Sequence, residues 1–197
     1  LFNQSIKFAG VCSFCFPLES VWKRRNNSGE NLYTKSIIEA TIKQQNQQFF
    51  LLITPQKKAV AYIYFKLITL REAELLSKKS LSKLKQIVKK DDLIIGNLQS
   101  IGVLAEYRKC KLSEYLMKVY LEYLLKNTQA DIAFGVFWKK NGEIPMEKNL
   151  KKFGFCYLVN SKRVWYDKKE LICPICNGRC KCDGAIYYKI LERGELL

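Results

Sequence analysis

Residues 92–127 read DLIIGNLQSIGVLAEYRKCKLSEYLMKVYLEYLLKN, and the rest of the chain is organised around them. Leu93 to Leu104 is rich in Ile, Leu and Val and too short to span a membrane, so it reads as a buried strand. From Leu112 the apolar residues fall at Leu112, Leu116, Val119, Tyr120, Tyr123 and Leu124, the stripe of an amphipathic helix. Between strand and helix lies the basic turn Tyr107-Arg108-Lys109-Cys110-Lys111-Leu112-Ser113. Such a turn aims free backbone N–H groups, and the positive end of the helix dipole, at whatever docks there. Two readings of the turn stay open: a phosphate or pyrophosphate site, or an ordinary strand-turn-helix with solvated lysines.

The 197 residues, 48% of them apolar, suffice for a single domain spanning 1–197 with a sizeable core. The net charge is +16 and there is no histidine. The charge suits an anionic partner, nucleic acid or an anionic cofactor, although a compositional bias towards Lys accounts for it equally. Lack of histidine excludes a Ser-His-Asp or Cys-His machine and any His-ligated metal. No apolar run approaches the roughly 20 residues of a membrane helix. The apolar stretch Phe8 to Leu18 lacks a small-residue cleavage site and runs into Trp22-Lys23-Arg24-Arg25, so it does not read as a signal core. Six of the eight cysteines sit in two short clusters, a pattern that in an intracellular chain points to metal rather than disulfides. The expected location is cytoplasmic. Cys110 and Cys156 read as small buried hydrophobes.

In chain order, helical pieces are expected around 17–25 and at Tyr33 to Gln45. Phe49–Thr54 and Ala59–Phe65 flank a short polar turn and predict a β-hairpin. Leu70 to Lys90 is charged and helical, with a break at Ser77-Lys78-Lys79-Ser80. Ala130 to Trp138 is a strand, and Asn141-Gly142 turns the chain. Pro145 opens a short helix that ends at Phe153, with Gly154 as its left-handed cap. Phe155–Leu158 and Arg163–Tyr166 are expected to pair, and Ala185 to Leu191 forms the last strand.

This order resembles that of the GNAT N-acyltransferases, over about residues 33–191. Val103-Leu104-Ala105-Glu106-Tyr107-Arg108 looks like the end of the family's fourth strand, with arginine five residues after the valine. Arg108 to Ser113 falls on the R/Q-x-x-G-x-G/A turn, and Asn149-Leu150-Lys151-Lys152-Phe153-Gly154-Phe155 looks like the short fourth helix with its Gly-Phe end. The resemblance implies an α/β fold with a mixed, mostly antiparallel central sheet flanked by helices. It implies acetyl-CoA, or another acyl-CoA, as donor, held by Ile101, Val103, Arg108, Lys109, Cys110, Lys111, Leu112 and Ser113. An amine of unspecified identity would be the acceptor.

The sequence departs from the family pattern at four places. Lys111 stands where the family has its first glycine, and Ser113 where it has glycine or alanine. The basic glutamate of the histone-modifying branch falls on Asn97, and the tyrosine that protonates the departing thiolate falls on Leu150. Candidates for the chemistry are therefore Asn97, Glu106 and Tyr157, beside Tyr107.

Cys173, Cys176, Cys180 and Cys182 follow a C-x2-C-x3-C-x-C spacing within residues 173–184. Four thiolates so spaced suit a tetrahedral zinc ion, in a loop inserted between the last two strands. Cys12 and Cys15 are a further C-x-x-C pair able to join them. Basic residues Lys162, Arg163, Lys168, Lys169, Arg179 and Lys181 interleave with Trp165 and Tyr166, which suits non-specific nucleic-acid binding or a solvated basic surface. Two functions remain open from sequence. One is an acyl-CoA-dependent N-acyltransferase; the other is a non-catalytic, GNAT-shaped zinc scaffold that binds nucleic acid or a protein complex through its basic face.

Overall fold

The computed structural model describes residues 7–9, 39–40, 43–56, 58–169, 172–173 and 175–193. The helix expected at 17–25 and the pair Cys12 and Cys15 lie outside the described residues. The first strands are β1 (Lys7–Ala9), β2 (Gln47–Ile53) and β3 (Ala59–Thr69). Helices α1 (Leu70–Ser77) and α2 (Ser82–Val88) follow, then β4 (Ile94–Val103) and the long α3 (Leu112–Asn127). After these come β5 (Ile132–Trp138), α4 (Glu147–Lys152), β6 (Cys156–Ser161), β7 (Ile172–Cys173), β8 (Gly178–Arg179) and β9 (Gly184–Ile190). Seven strands form one sheet in the order β1-β2-β3-β4-β5-β9-β6, while β7 and β8 make a separate ribbon. Every neighbouring pair is antiparallel except β4 and β5, which run parallel.

The sheet is covered on both faces. On one face α3 packs against β3 and β4, with Leu116, Met117, Tyr120, Leu121 and Leu124 all fully buried. Each such side chain contributes on the order of 1.5–3 kcal/mol by leaving water. The Tyr120 hydroxyl, buried among them, donates to the Gly96 carbonyl. Met117 and Leu121 widen the stripe read from sequence, and Val119 and Tyr123 fall on its half-exposed margin. On the other face α1 and α2 bury Leu70, Ala73, Leu81 and Leu84 against Ile68, Ile95, Ile132 and Phe134. The break between them falls at Lys78, whose left-handed backbone (φ 53) ends α1.

The hairpin, the α1–α2 break and the Asn141-Gly142 turn stand where the sequence placed them; Asn141 and Gly142 both take positive φ (52 and 86). Three local expectations fail. Residues 39–40 are helical, but residues 43–46 already turn into β2 rather than carrying the helix to Gln45. The run Gln44-Gln45-Asn46 offers no apolar side chain to hold against the core, and Asn46 instead gives its carbonyl to the Leu67 N–H (2.8 Å). Phe155–Leu158 does not pair with Arg163–Tyr166. β6 pairs with β9, and residues 162–167 form a turn in which Arg163 (φ 48) donates its N–H to Asp183 at 3.0 Å. A distant strand edge, reinforced by Tyr157 against Tyr187, outcompetes the local hairpin. Finally, Cys110 and Cys156 are exposed. Cys110 is the tip of the basic turn, and at Cys156 the neighbouring Phe155, just before β6, takes the buried position.

Candidate functional site

β4 and β5 are hydrogen-bonded only over Ile95–Leu98 and Ile132–Gly135. Beyond Leu98 the two strands part. β4 continues to Val103 paired only with β3, and β5 continues to Trp138 paired only with β9. The edge of β4 that faces β5 is thus left with unpaired backbone donors and acceptors, an edge able to take an extended ligand as a further strand would be taken. At the point of parting the register jumps from Phe65↔Leu98 to Tyr64↔Ser100, leaving Gln99 as the extra residue of a bulge. Ser100 and the Tyr62 hydroxyl are hydrogen-bonded at 2.9 Å, and burial raises the pKa of that tyrosine.

The gap opens into a cleft of about 850 Å³, at the large end of the roughly 300–1,000 Å³ typical of ligand sites. Its floor is β4 from Leu98 to Val103, and its far wall is Val136, Phe137 and Trp138 of β5 with Trp165. Its near end is the basic turn. After a short 3-10 turn at Ala105–Tyr107, both Lys109 (φ 64) and Lys111 (φ 59) take left-handed backbone, and α3 starts directly after Lys111. No side chain caps α3, so the first N–H groups of the helix, those of Leu112, Ser113 and Glu114, have no intrahelical partners, and these three residues line the cleft. Arg108 reaches back across the turn, its Nε 3.4 Å from the Val103 carbonyl. From the other side α4 clamps the helix start: the Asn149 amide donates to the Ser113 hydroxyl at 3.0 Å, and Lys152 pairs with Glu114. With that carboxylate neutralised, Arg108, Lys109, Lys111 and Lys140 leave the lining positive.

Seven of the eight residues expected to hold the donor line the cleft; the exposed Cys110 does not. Of the candidates for chemistry, Tyr107 lines it, whereas Asn97, Glu106 and Tyr157 do not. Asn97 is buried within β4, in the segment that is still paired with β5. Glu106 is exposed and pairs at 3.2 Å with Lys58, whose ammonium also lies 3.5 Å from the Tyr107 hydroxyl. Tyr157 stands half exposed on β6, packed on Tyr187. Leu150 is fully buried in the core. Gln99, Trp138 and Trp165 were missed by sequence reasoning. The only signal for the first is the polar pair Gln99-Ser100 interrupting an apolar strand; the tryptophans acquire their meaning from the parting of the strands.

The architecture has close counterparts among solved structures. Arabidopsis thaliana NAA60, solved with a bisubstrate analogue, superimposes with a TM-score of 0.65 at 13% identity, covering 96% of this chain and 100% of that one. The ribosomal-protein-S18-alanine N-acetyltransferase of Escherichia coli gives a TM-score of 0.63 at 12% identity, over 98% and 99% of the two chains. The fold is the GNAT fold. Spermidine N-acetyltransferase from Vibrio cholerae, solved with CoA and spermine, shares it at a TM-score of 0.60 and 11% identity, over 95% and 96%. No protein-family model and no curated protein sequence matches the chain. The GNAT likeness is therefore one of backbone.

The described cysteines 173, 176, 180 and 182 gather in the connection between β6 and β9, beside the far wall of the cleft. Cys173, Cys176 and Cys182 place their sulfurs within 4.8 Å of one another, and Cys180 is buried beside them. Burial and the neighbouring sulfurs push the Cys182 thiol up to about 12, and burial raises that of Cys180. Cys173 is lowered despite its burial, because the N–H groups of Cys176 and Ile175 donate to its sulfur.

Proposed function

We propose that this protein transfers an acyl group, acetyl foremost, from an acyl-CoA to an amine acceptor. The observation that carries the reading is the parting of β4 and β5 after Leu98 and Gly135, directly in front of an uncapped α3 N-terminus. The two features fit the two halves of such a donor. An amide-bearing arm would lie along the free edge of β4 from Gln99 to Val103 and exchange backbone hydrogen bonds with it. A pyrophosphate would meet the N–H groups of Leu112 to Glu114, a geometry that binds anions through the backbone and so tolerates Lys111 and Ser113 in place of glycine. Arg108, Lys109 and Lys111 would supply the counter-charge.

The donor brings an activated thioester, which an amine attacks readily once held in place. The protein's own contribution is to hold the two together. A walled cleft with a fixed floor can account for several kcal/mol of barrier by orientation alone, within the roughly 7–11 kcal/mol available to well-oriented pairs. The acceptor enters between the Gln99 bulge and the Trp138–Trp165 wall, where the lining turns from basic to aromatic. The chain works as one GNAT-like domain, with residues 173–184 as a metal-stapled loop bordering the acceptor side.

Calorimetric and thermal-shift titration with acetyl-CoA and CoA tests the donor site, since a ligand of the native state must raise the melting temperature. A thiol-release assay with spermidine and with an alanine-initiated peptide then tests transfer. The expected result is a rise in melting temperature at sub-millimolar acetyl-CoA, and amine-dependent thiol release with at least one acceptor class. Absence of both heat and thermal shift at millimolar acetyl-CoA overturns the reading.

A further inference from the structure

Three cysteines of the cluster have the sulfur separations of a metal centre as well as its sequence spacing. Cys173 and Cys182 hold their sulfurs 3.8 Å apart, and Cys176 and Cys182 theirs 3.6 Å apart. A disulfide would bring two sulfurs to about 2.05 Å. The edge of a tetrahedron of sulfurs around zinc, with bonds of about 2.3 Å, is about 3.8 Å. Cys180, 2% exposed, lies beside Cys173 and Cys182 but outside the group of three sulfurs that fall within 4.8 Å of one another, and it would be the fourth ligand. Backbone amides line the cluster as thiolates require: Ile175 and Cys176 donate to Cys173, Cys182 to Cys180, and Lys181 to Cys176 at 3.3 Å. The ribbon β7–β8 closes the turn between the first pair, pairing Cys173 with Gly178 across a left-handed Asn177 (φ 48).

The same short segment carries the far wall of the cleft. The Trp138 indole N–H donates to the Cys182 sulfur. The next residue, Asp183, takes the Lys139 N–H on its carbonyl (3.1 Å) and the Arg163 N–H on its carboxylate (3.0 Å). Gly184 passes so closely under Trp165 that a Cβ there would lie 3.3 Å from the ring. Between the third cysteine and the second, Arg179 stacks on Tyr166 at 3.9 Å and donates to its carbonyl. Each strut of the wall therefore ends on the cysteine loop.

We propose that Cys173, Cys176, Cys180 and Cys182 bind one zinc ion as four thiolates, and that this centre holds the Trp138–Trp165 wall of the cleft in place. On binding, four thiols release four protons and four Zn–S bonds form, leaving a centre of net charge −2 beside Arg179 and Lys181. All positions are filled by protein, so the ion is structural. Soft, all-sulfur ligation narrows the choice to zinc or iron, and colour separates them. The metal assignment is independent of the acyl-transfer reading; the significance of the wall rests on that reading.

Elemental analysis of the full chain is expected to find about one zinc per chain, falling to near zero in the Cys176→Ser, Cys182→Ser double variant. Cobalt added to metal-stripped wild-type protein should give the intense visible bands of a tetrahedral thiolate site, and weaker, shifted bands in Cys180→Ser. Metal-free wild-type protein, iron in place of zinc, or full zinc in the double variant each overturns the site; if that variant does not fold, wild-type metal content and the cobalt spectrum decide. For the wall, stripping zinc should shift tryptophan fluorescence to longer wavelength, and the shift should shrink in Trp138→Phe, Trp165→Phe protein. A zinc-loaded protein whose fluorescence ignores metal removal overturns the link to the cleft. Neither readout needs acetyl-CoA, so a failure of donor binding leaves them interpretable.

Discussion

At the scale of single residues, Lys111 and Ser113 show how a backbone site survives changed side chains. Lys111 takes φ 59, the left-handed backbone for which glycine is the usual choice, at a cost of about 1–2 kcal/mol for a residue with a Cβ. The turn keeps its shape because Leu112 behind it is buried in the core and Asn149 holds Ser113 from α4. This separates fold from binding in a testable way. A carboxylate at position 113 sits in the first turn of α3, where the helix dipole favours it and where it can accept from the Asn149 amide in place of the hydroxyl, so Ser113→Glu should leave the melting temperature of the free protein near that of wild type. The same carboxylate would repel a pyrophosphate at those N–H groups and remove about 1–3 kcal/mol of binding, in the range of a charge-assisted hydrogen bond. Calorimetry with acetyl-CoA on both proteins reads the difference. Equal affinity would place the phosphates elsewhere.

At the scale of elements, local chemistry was legible in the β2–β3 hairpin and in the α1–α2 break, and was misread where Gln44-Gln45-Asn46 ends the helix expected to reach Gln45. The hairpin follows from two β-rich runs around a polar turn, and the α1–α2 break from its serine-lysine cluster. Thr69 and Glu72 form a capping box that starts α1: the Glu72 N–H donates to the Thr69 hydroxyl (3.2 Å) and the Thr69 N–H to the Glu72 carboxylate (2.7 Å). Thr69→Ala should cost about 1 kcal/mol, the usual value of an N-cap. The Thr69 backbone N–H, and then its hydroxyl, hold the Glu72 pKa below that of an ordinary glutamate. A depressed folded-state pKa contributes stability that is present above the unfolded value, about 4.3, and is lost as pH falls through the folded value. Denaturant melts of wild type and Glu72→Gln should therefore differ at pH 7 and converge in acid; a gap that is independent of pH would mean that the carboxylate charge contributes nothing. What stayed illegible at this scale depends on distant partners. Gln99 bulges because β3 and β4 lose register, and β6 finds β9 instead of its nearest neighbour in sequence. Neither fact is written in the residues concerned.

At the scale of the whole molecule, the +16 charge is the largest feature that the cleft does not use. Ion pairs among the described residues take up several lysines, Lys78 with Asp167 and Lys90 with Asp131 among them, but Lys162, Lys168, Lys169 and Lys181 remain exposed near the cysteine loop. The aromatics interleaved with them are already engaged. Arg179 covers Tyr166, and Trp165 lines the cleft wall. Base stacking, worth about 1–3 kcal/mol per base where a ring is free, is therefore denied to this surface. Attraction to phosphates is what remains. The expected behaviour is weak binding of single-stranded RNA or duplex DNA alike, with no preference for sequence, because phosphates carry no sequence information. Each neutralised phosphate on a duplex should add a slope of about −0.9 to the plot of log affinity against log salt, so a handful of contacts vanishes near physiological ionic strength. Lys162→Glu, Lys168→Glu, Lys169→Glu protein should show a slope reduced by about three such increments on duplex DNA, with acetyl-CoA affinity unchanged. Fluorescence anisotropy with a labelled duplex across a salt series provides the measurement. No binding at low salt, or a slope that the triple variant leaves intact, would remove this surface from any functional account and leave the charge as composition.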